Sequence, residues 1–140
     1  RQHPLVIIVP AAHRLARRRS VRLEELRDEA MIMRELAPPT RKALEDALRQ
    51  HGIAPNFSLE VGSREAVREA VILGLGIAAV SEREHVDDSR LRKLTIHGEQ
   101  VVTHAHVACL AERKTARLVQ AFLEVVNQVL IEKDAEGALR

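Results

Sequence analysis

The sequence places hydroxyl and guanidinium side chains in short segments that each precede an amphipathic stretch. The donors are Thr40, Ser63, Arg34, Arg41 and Arg64, and the segments that carry them, 34–41 and 62–64, also contain Glu35 and Gly62. If each amphipathic stretch is a helix, its first turn has unpaired N–H groups and a partial positive charge, which together attract an anion. Hydroxyl and guanidinium donors beside such a helix start strengthen that attraction. These residues therefore predict a binding site for a small anion.

The same residues also have a simpler structural interpretation. Thr40 and Ser63 could only cap their helices, and the neighbouring arginines could pair with carboxylates such as Glu35, Glu45 or Glu65. For each residue alone this interpretation is favoured. The convergence of all of them on one side of a sheet favours a ligand site.

Apolar and amphipathic segments alternate along the chain. The predicted strands are 5–9, 31–33, 57–61, 77–80, 91–96 and 101–110. The predicted helices are a short one at 23–28, one that Thr40 caps and Gly52 ends, one that Ser63 caps and Gly74 ends, and a long one at 115–130. Strand and helix alternate three times between Met31 and Val80, which predicts parallel pairing and an α/β fold. In such folds ligands lie beyond the carboxyl ends of the strands.

Prolines and apolar stripes set the expected boundaries. Pro38 and Pro39 are expected to stop regular structure, because proline lacks an N–H and restricts the residue before it. Residues 135–140 are expected to fray. On the last helix, an apolar stripe is expected to face inward: Leu118, Val119, Phe122, Leu123, Val126 and Val129.

Length and composition restrict the class of protein. The 140 residues are 46% hydrophobic and 30% charged, which fits one globular domain and excludes a disordered chain. A formal net charge of +2, with two Phe and no Tyr or Trp, lacks the basic excess and the stacking aromatics of a nucleic-acid module. The longest apolar run, Leu5 to Val9, is far too short to span a membrane.

Other motifs carry weaker signals, and no metal, cofactor or catalytic group is expected. His104 and His106 have a spacing that some zinc sites use, but no Cys or carboxylate pair accompanies them. Cys109 is predicted to be a buried thiol in an apolar strand. Gly74 and Gly76 follow a helix, which predicts a turn and not a phosphate-binding loop. A solvated surface is the preferred interpretation of the basic cluster Arg14, Arg17, Arg18, Arg19 and Arg22.

Several segments, taken in chain order, resemble the effector-binding region of LysR-type transcriptional regulators. They are 5–16 (LVIIVPAAHRLA), 31–35 (MIMRE), 40–41 (TR), 59–67 (LEVGSREAV), 74–77 (GLGI) and 117–123 (RLVQAFL). The resemblance implies a Rossmann-like lobe of a type II periplasmic-binding-protein-like effector domain, with a small anionic effector in the cleft between two lobes. It also implies a cytoplasmic homodimer or tetramer, with no membrane part, that binds DNA through an N-terminal helix-turn-helix domain outside this sequence.

The resemblance implies a division of the chain as well. Residues 1–10 would be a crossover strand from a first lobe, 11–103 the second lobe, 104–112 the return strand, 113–131 a C-terminal helix of the first lobe, and 132–140 a tail. The apolar stripe of the last helix would then find its cover in the first lobe, outside this sequence. The helix after Thr40 and the strand at 57–61 would form the surface through which family members pair.

The family pattern places effector contacts at the same residues that the strand ends indicate: Arg34, Glu35, Thr40, Arg41, Gly62, Ser63 and Arg64. One departure affects this site. Residues 36–39 are Leu-Ala-Pro-Pro, where the family usually has a Pro-Gly-Ser-like loop, so N–H donors are lost and the contacts shift to Thr40, Arg41 and Ser63. Arg14 replaces a common proline, with no expected consequence for binding.

Within the family, three segments look most like regulators associated with aminoethylphosphonate metabolism, which suggests a phosphonate effector. They are 62–71, 80–82 and 109–113. Two other classes stay open at this level. One is a lobe of a solute-binding protein or an enzyme with the same fold, since such folds host unrelated functions, and the other is an interaction module.

Overall fold

The structure is a computed structural model and describes residues 2–35, 38–104 and 106–137. The chain divides into two compact units, Arg1–Ala105 and His106–Arg140. The strands described in the first unit are β1 Gln2–Pro10, β2 Ser20–Val21, β3 Met31–Arg34, β4 Phe57–Val61, β5 Ala78–Ser81, β6 Leu91–Ile96 and β7 Val102–His104. Its helices are α1 Pro38–Gln50, α2 Arg64–Ile72 and the 3₁₀ helices Leu23–Leu26 and Glu82–Glu84. The second unit holds the 3₁₀ helix Ala111–Arg113 and α3 Arg117–Gly137.

β1 is the central strand of the larger sheet. It pairs antiparallel with β5 on one edge and with β6 on the other, and its first residues pair with β7. β2 continues the sheet in parallel beyond β6. Because β1 has neighbours on both edges and packing on both faces, Leu5 to Val9 are all buried, as their continuous apolar run predicts.

β3 and β4 form a separate parallel pair, and an isolated parallel bridge joins Met31 of β3 to Ile77, directly before β5. The predicted parallel pairing is therefore confirmed for β3 with β4 and at Ile77, whereas β5 itself runs antiparallel to β1. This arrangement brings the carboxyl ends of β3, β4 and β5 to one edge. The predicted α/β class is confirmed.

The side chains of successive strand residues divide the core into two clusters. Ile7 packs in the cluster that contains Leu44 of α1, and Ile8 packs in the cluster that contains Val67 and Val71 of α2. Since neighbouring strand residues point to opposite faces, α1 and α2 cover opposite faces of β1. None of the helices among the described residues combines the length and the hydropathy that a membrane crossing requires.

The start of α1 differs from the prediction. α1 begins at Pro38, so Pro38 and Pro39 open the helix instead of stopping regular structure, and Thr40 is its third residue and not its cap. The N–H groups of a first turn have no acceptor within the helix, so proline loses no hydrogen bond there. The end of α1 agrees with the prediction, because Gly52 follows the helix with a φ of +67°.

The segment after β7 also differs from the prediction. The strand predicted at 101–110 is correct only for Val102–His104, and residues 106–110 have no strand. Cys109 is exposed outside any strand, so its prediction as a buried thiol is wrong. β-branched and apolar composition indicates strand, but a strand also needs a neighbour to accept its hydrogen bonds.

The apolar stripe of α3 is not buried as its periodicity predicts. Leu118 is 84% exposed, and Phe122 and Val129 are exposed too. A 3.6-residue period identifies an apolar face without identifying what covers it. The helix continues to Gly137, so the predicted fraying is wrong for 135–137, and residues 138–140 lie outside the described part of the chain.

Gly76 lies where the backbone before β5 approaches the start of β3 most closely. A Cβ at Gly76 would lie 2.5 Å from the carbonyl oxygen of Ala30. Ile77 N–H donates to that same oxygen at 2.9 Å, and Ile32 N–H donates to the Ile77 carbonyl at 2.8 Å. The backbone hydrogen bonds that align these segments therefore leave no room for a side chain at Gly76.

We expect Gly76→Ala to lower the free energy of unfolding by about 1–3 kcal/mol, because the added methyl group meets backbone that cannot rotate away. Urea unfolding measures the change. Gly62→Ala is the matched control, since no atom lies within 4 Å of a Cβ there, and we expect an effect within about 0.5 kcal/mol. Equal losses in the two variants would contradict this account.

His51, directly after α1, connects two other segments of the first unit. Its Nδ1 lies 2.7 Å from Glu24 Oε1, and its Nε2 lies 2.7 Å from Glu99 Oε1. Only the protonated imidazole carries a hydrogen on both nitrogens, so only the cation can interact favourably with both carboxylates. The hydrogen bond to Glu24 is the main cause that raises the pKa of His51 above its ordinary value of 6.5. Burial opposes it, and Glu99 raises the pKa further by a smaller amount.

Because the folded-state pKa of His51 is raised, its stabilising contribution is complete below pH 6.5 and disappears as the pH rises through the folded-state value. We expect the wild-type protein to lose more stability between pH 6 and pH 8.5 than His51→Gln does. Urea unfolding at a series of pH values measures the difference. Parallel pH profiles for the two proteins would rule out the bridging cation, and Glu24→Gln should reduce the difference only in part.

Candidate anion-binding site

A cavity of about 340 Å³ opens where β3, α2 and the 3₁₀ helix Glu82–Glu84 meet. It is lined by Ile8, Ile32, Met33, Arg34, Thr40, Arg64, Glu65, Val67, Arg68, Ala79, Val80, Arg83, Glu84, His85, Val86 and Leu91. Of its apolar lining residues, Ile8, Ile32 and Val67 belong to the core that α2 covers. The cavity therefore combines a rigid apolar wall with charged groups from helix starts and connecting segments.

Positive side chains predominate around the cavity. The charged residues that line it are Arg34, Arg64, Arg68, Arg83, Glu65 and Glu84. His85 adds an imidazole on a side chain that is only 9% exposed. An excess of positive charge in a partly enclosed space attracts anions, because the surrounding low-dielectric protein focuses its field.

Ser63 forms the N-cap of α2, as the sequence predicts. Its backbone is extended, with φ −138°, and its Oγ accepts a hydrogen bond from Ala66 N–H at 3.0 Å. The first N–H that bonds within the helix backbone is that of Val67, which donates to the Ser63 carbonyl at 3.1 Å. The N–H groups of the first two residues of α2 have no acceptor within the helix, so they are open to an anion.

The structure brings three of the predicted site residues to the cavity, namely Arg34, Thr40 and Arg64. Glu35 is exposed, and its N–H donates to the Val61 carbonyl at 2.9 Å. Gly62 is exposed next to the Ser63 cap, with ordinary room for a side chain. Ser63 is also absent from the cavity lining, and it caps the helix whose first residue, Arg64, lines the cavity.

Arg41 is placed outside the cavity lining. Its Nε donates to Glu45 Oε1 at 2.9 Å, its Nη1 donates to Glu60, and its guanidinium carbon lies 4.9 Å from the centroid of the Phe57 ring. The simpler interpretation of this arginine, a partner for Glu45, therefore describes its contacts. The predicted effector contact at Arg41 has no support from this geometry.

Three basic residues of the cavity lining, Arg68, Arg83 and His85, were absent from the predicted site. Arg68 lies four positions after Arg64 on α2, so helical periodicity places both guanidiniums on one face, and this spacing could have identified it. Arg83 and His85 come from the 3₁₀ helix and the residue after it. Such a short irregular segment has no periodic pattern from which their direction could be predicted.

Asp88 anchors Arg68 at the cavity wall. Its side chain is 8% exposed and accepts hydrogen bonds from the side chains of Arg68 and Arg90 and from Arg90 N–H. The Arg90 side chain, then the Arg90 N–H and then Arg68 hold the pKa of Asp88 well below its usual range. Arg68 Nε is buried and has no hydrogen-bond partner, so Asp88 fixes this guanidinium without saturating it.

No group of three His, Cys, Asp or Glu side chains with the geometry of a metal site occurs among residues 2–35, 38–104 and 106–137. The polar part of the cavity lining therefore consists of side chains that can form hydrogen bonds and ion pairs. An α/β fold with a cationic cavity beyond its strand ends is the architecture of a domain that binds small molecules.

The model of the LysR substrate binding domain matches residues 1–131 of this chain. The transcriptional activator CmpR of Synechocystis sp. is 30% identical over 127 residues, which are 88% of this chain and 41% of that protein. The regulator CbbR of Xanthobacter flavus is 35% identical over 132 residues, which are 90% of this chain and 39% of that protein. This chain thus spans about two fifths of the length of these curated relatives.

Among solved structures, the regulatory domain of CcmR from Synechocystis PCC6803 in complex with 2-PG superimposes with a TM-score of 0.78. The two chains are 32% identical, and the match covers 91% of this chain and 63% of that one. The chain therefore belongs to the family of LysR substrate-binding domains. Its relatives are transcriptional regulators, which confirms the expectation that the protein is not an enzyme.

We expect Ser63→Ala to lower the free energy of unfolding by about 1 kcal/mol, because the N–H of Ala66 loses its acceptor. Ser63→Asp is the matched control, since a carboxylate caps a helix and also complements the helix dipole. Urea unfolding compares the three proteins. A loss in Ser63→Asp as large as that in Ser63→Ala would show that the cap is not the cause.

Proposed function

We propose that the cavity of this effector-binding domain binds a small anionic metabolite and that the bound anion controls DNA recognition by a complete regulator. The proposal rests chiefly on the convergence of four guanidinium groups on one cavity next to the start of α2. Guanidinium groups bind carboxylate and phosphate groups with paired, directional hydrogen bonds. A second cavity, next to the segment 95–101, has no arginine among the described residues that line it.

The chemical class of ligand follows from the strength of this charge. An anion with a phosphate or phosphonate group and a carboxylate would engage more than one guanidinium, which a single carboxylate could not do to the same extent. The complex of the CcmR regulatory domain with 2-PG, which is 2-phosphoglycolate, supports a ligand of this kind. CmpR and CbbR give no support to the narrower resemblance to aminoethylphosphonate-associated regulators, so a phosphonate is only one candidate within the class.

The proposed contacts are those that line the cavity. Arg34, Arg64 and Arg68 would donate to the anion, Thr40 would add a hydroxyl donor, and the open N–H groups of α2 would complete the site. Ser63 would act by holding the start of α2 in place. Arg41 is left out, because it lies outside the cavity lining and pairs there with Glu45 and Glu60.

Regulation would operate through a shift between conformations. A ligand that binds one arrangement of the lobes more tightly increases the population of that arrangement. The affinity of the complete protein for DNA then changes with that population. We propose that the complete regulator is a cytoplasmic homodimer or tetramer. β4 supports this arrangement, since β3 is its only strand neighbour among the described residues and its other edge can meet a second copy.

Calorimetric titration of the complete regulator with 2-phosphoglycolate tests the proposal, with glycerol as an uncharged ligand that should not bind. We expect Arg34→Gln to weaken binding by about tenfold, because a charge-assisted hydrogen bond is lost. Arg49→Gln is the matched control, since Arg49 is an exposed arginine at the end of α1 outside the cavity lining. The same affinity in both variants, or equal binding of glycerol, would contradict an anion site in this cavity.

A further inference from the structure

One arginine of the cavity is already paired with a carboxylate of the same chain. Arg64, the first residue of α2, has its Nη2 2.7 Å from Oε1 of Glu84. Both residues line the cavity, and their side chains are 58% and 31% exposed. Glu84 therefore occupies a guanidinium that an anionic ligand would also use.

Glu84 reaches this position from the end of the 3₁₀ helix Glu82–Glu84, which follows β5 directly. Its carboxylate has the same chemistry as an acidic group of a ligand, and it lies beside the positive end of α2. A ligand anion and Glu84 thus compete for the same donors. Arg64 at a helix start also needs a counter-charge, because a cation is unfavourable at that end of the dipole.

Asp88, another carboxylate close to the cavity, has a different character. Asp88 is nearly buried, is bound by Arg68 and by both the side chain and the N–H of Arg90, and does not line the cavity. Such a group stays in place when a ligand enters. Glu84 has a single exposed ion pair, of the kind that contributes little stability and is readily exchanged.

We propose that Glu84 is a tethered internal competitor, and that an anionic ligand must displace its carboxylate from Arg64 in order to bind. This inference rests on the proposed function of the cavity. The measured dissociation constant then equals the intrinsic constant divided by the fraction of molecules in which Arg64 is free. Glu84 sets the ligand concentration to which the domain responds.

Calorimetric titration with 2-phosphoglycolate tests the competition. We expect Glu84→Gln to tighten binding by about threefold, the size that an exposed ion pair permits. Glu65→Gln is the matched control, because Glu65 also lines the cavity and its substitution removes the same charge. Arg64 is paired with Glu84 and not with Glu65. We expect a smaller gain in Glu65→Gln. In an Arg64→Gln background, Glu84→Gln should give no more than this smaller gain.

The outcomes separate the two proposals. If the wild-type protein binds the ligand and Glu84→Gln has the same affinity, the competitor is overturned and the anion site is kept. Equal gains in affinity in Glu84→Gln and Glu65→Gln have the same meaning. A gain from Glu84→Gln that keeps its full size in the Arg64→Gln background would also overturn the competitor. Absence of binding in every variant would overturn the anion site itself. Glu84→Ala repeats the test with a second side chain, and thermal unfolding confirms that each variant is folded.

Discussion

The backbone contact between Ala30 and the segment at Gly76 and Ile77 determines where the cavity can form. The carbonyl of Ala30 accepts a hydrogen bond from Ile77, and the carbonyl of Ile77 accepts one from Ile32. These bonds fix the register between β3 and the start of β5, and they are possible only because residue 76 has no side chain. Without that register, the residues after β3 and β5 would not face the start of α2.

The cavity faces a second constraint, which is electrostatic. Guanidinium groups gathered in a small volume repel one another unless carboxylates balance them. The structure uses two kinds of balance. Asp88 is nearly buried and fixes Arg68 permanently, while Glu84 is half exposed and holds Arg64 through one ion pair. A site with one permanent and one exchangeable counter-charge can stay folded when empty and still receive an anion.

Sequence patterns predicted those parts of the fold that depend on local rules. β4 and β6 have the predicted bounds, and Ser63 caps α2, because alternation and capping chemistry act over a few residues. The errors arose where a local rule met a tertiary condition. Pro38 and Pro39 were compatible with a helix start as well as with a break, and the stripe on α3 specified an apolar face without a cover.

By itself, the sequence determined the α/β class, the order of strands and helices, and the presence of donors at the strand ends. Only the tertiary structure decided which donors share a cavity. It brought Arg34, Thr40 and Arg64 together, added Arg68, and assigned Arg41 to Glu45 and Glu60. The physical reason is that an arginine side chain is long enough to reach several partners, so its choice depends on which carboxylates folding brings near it.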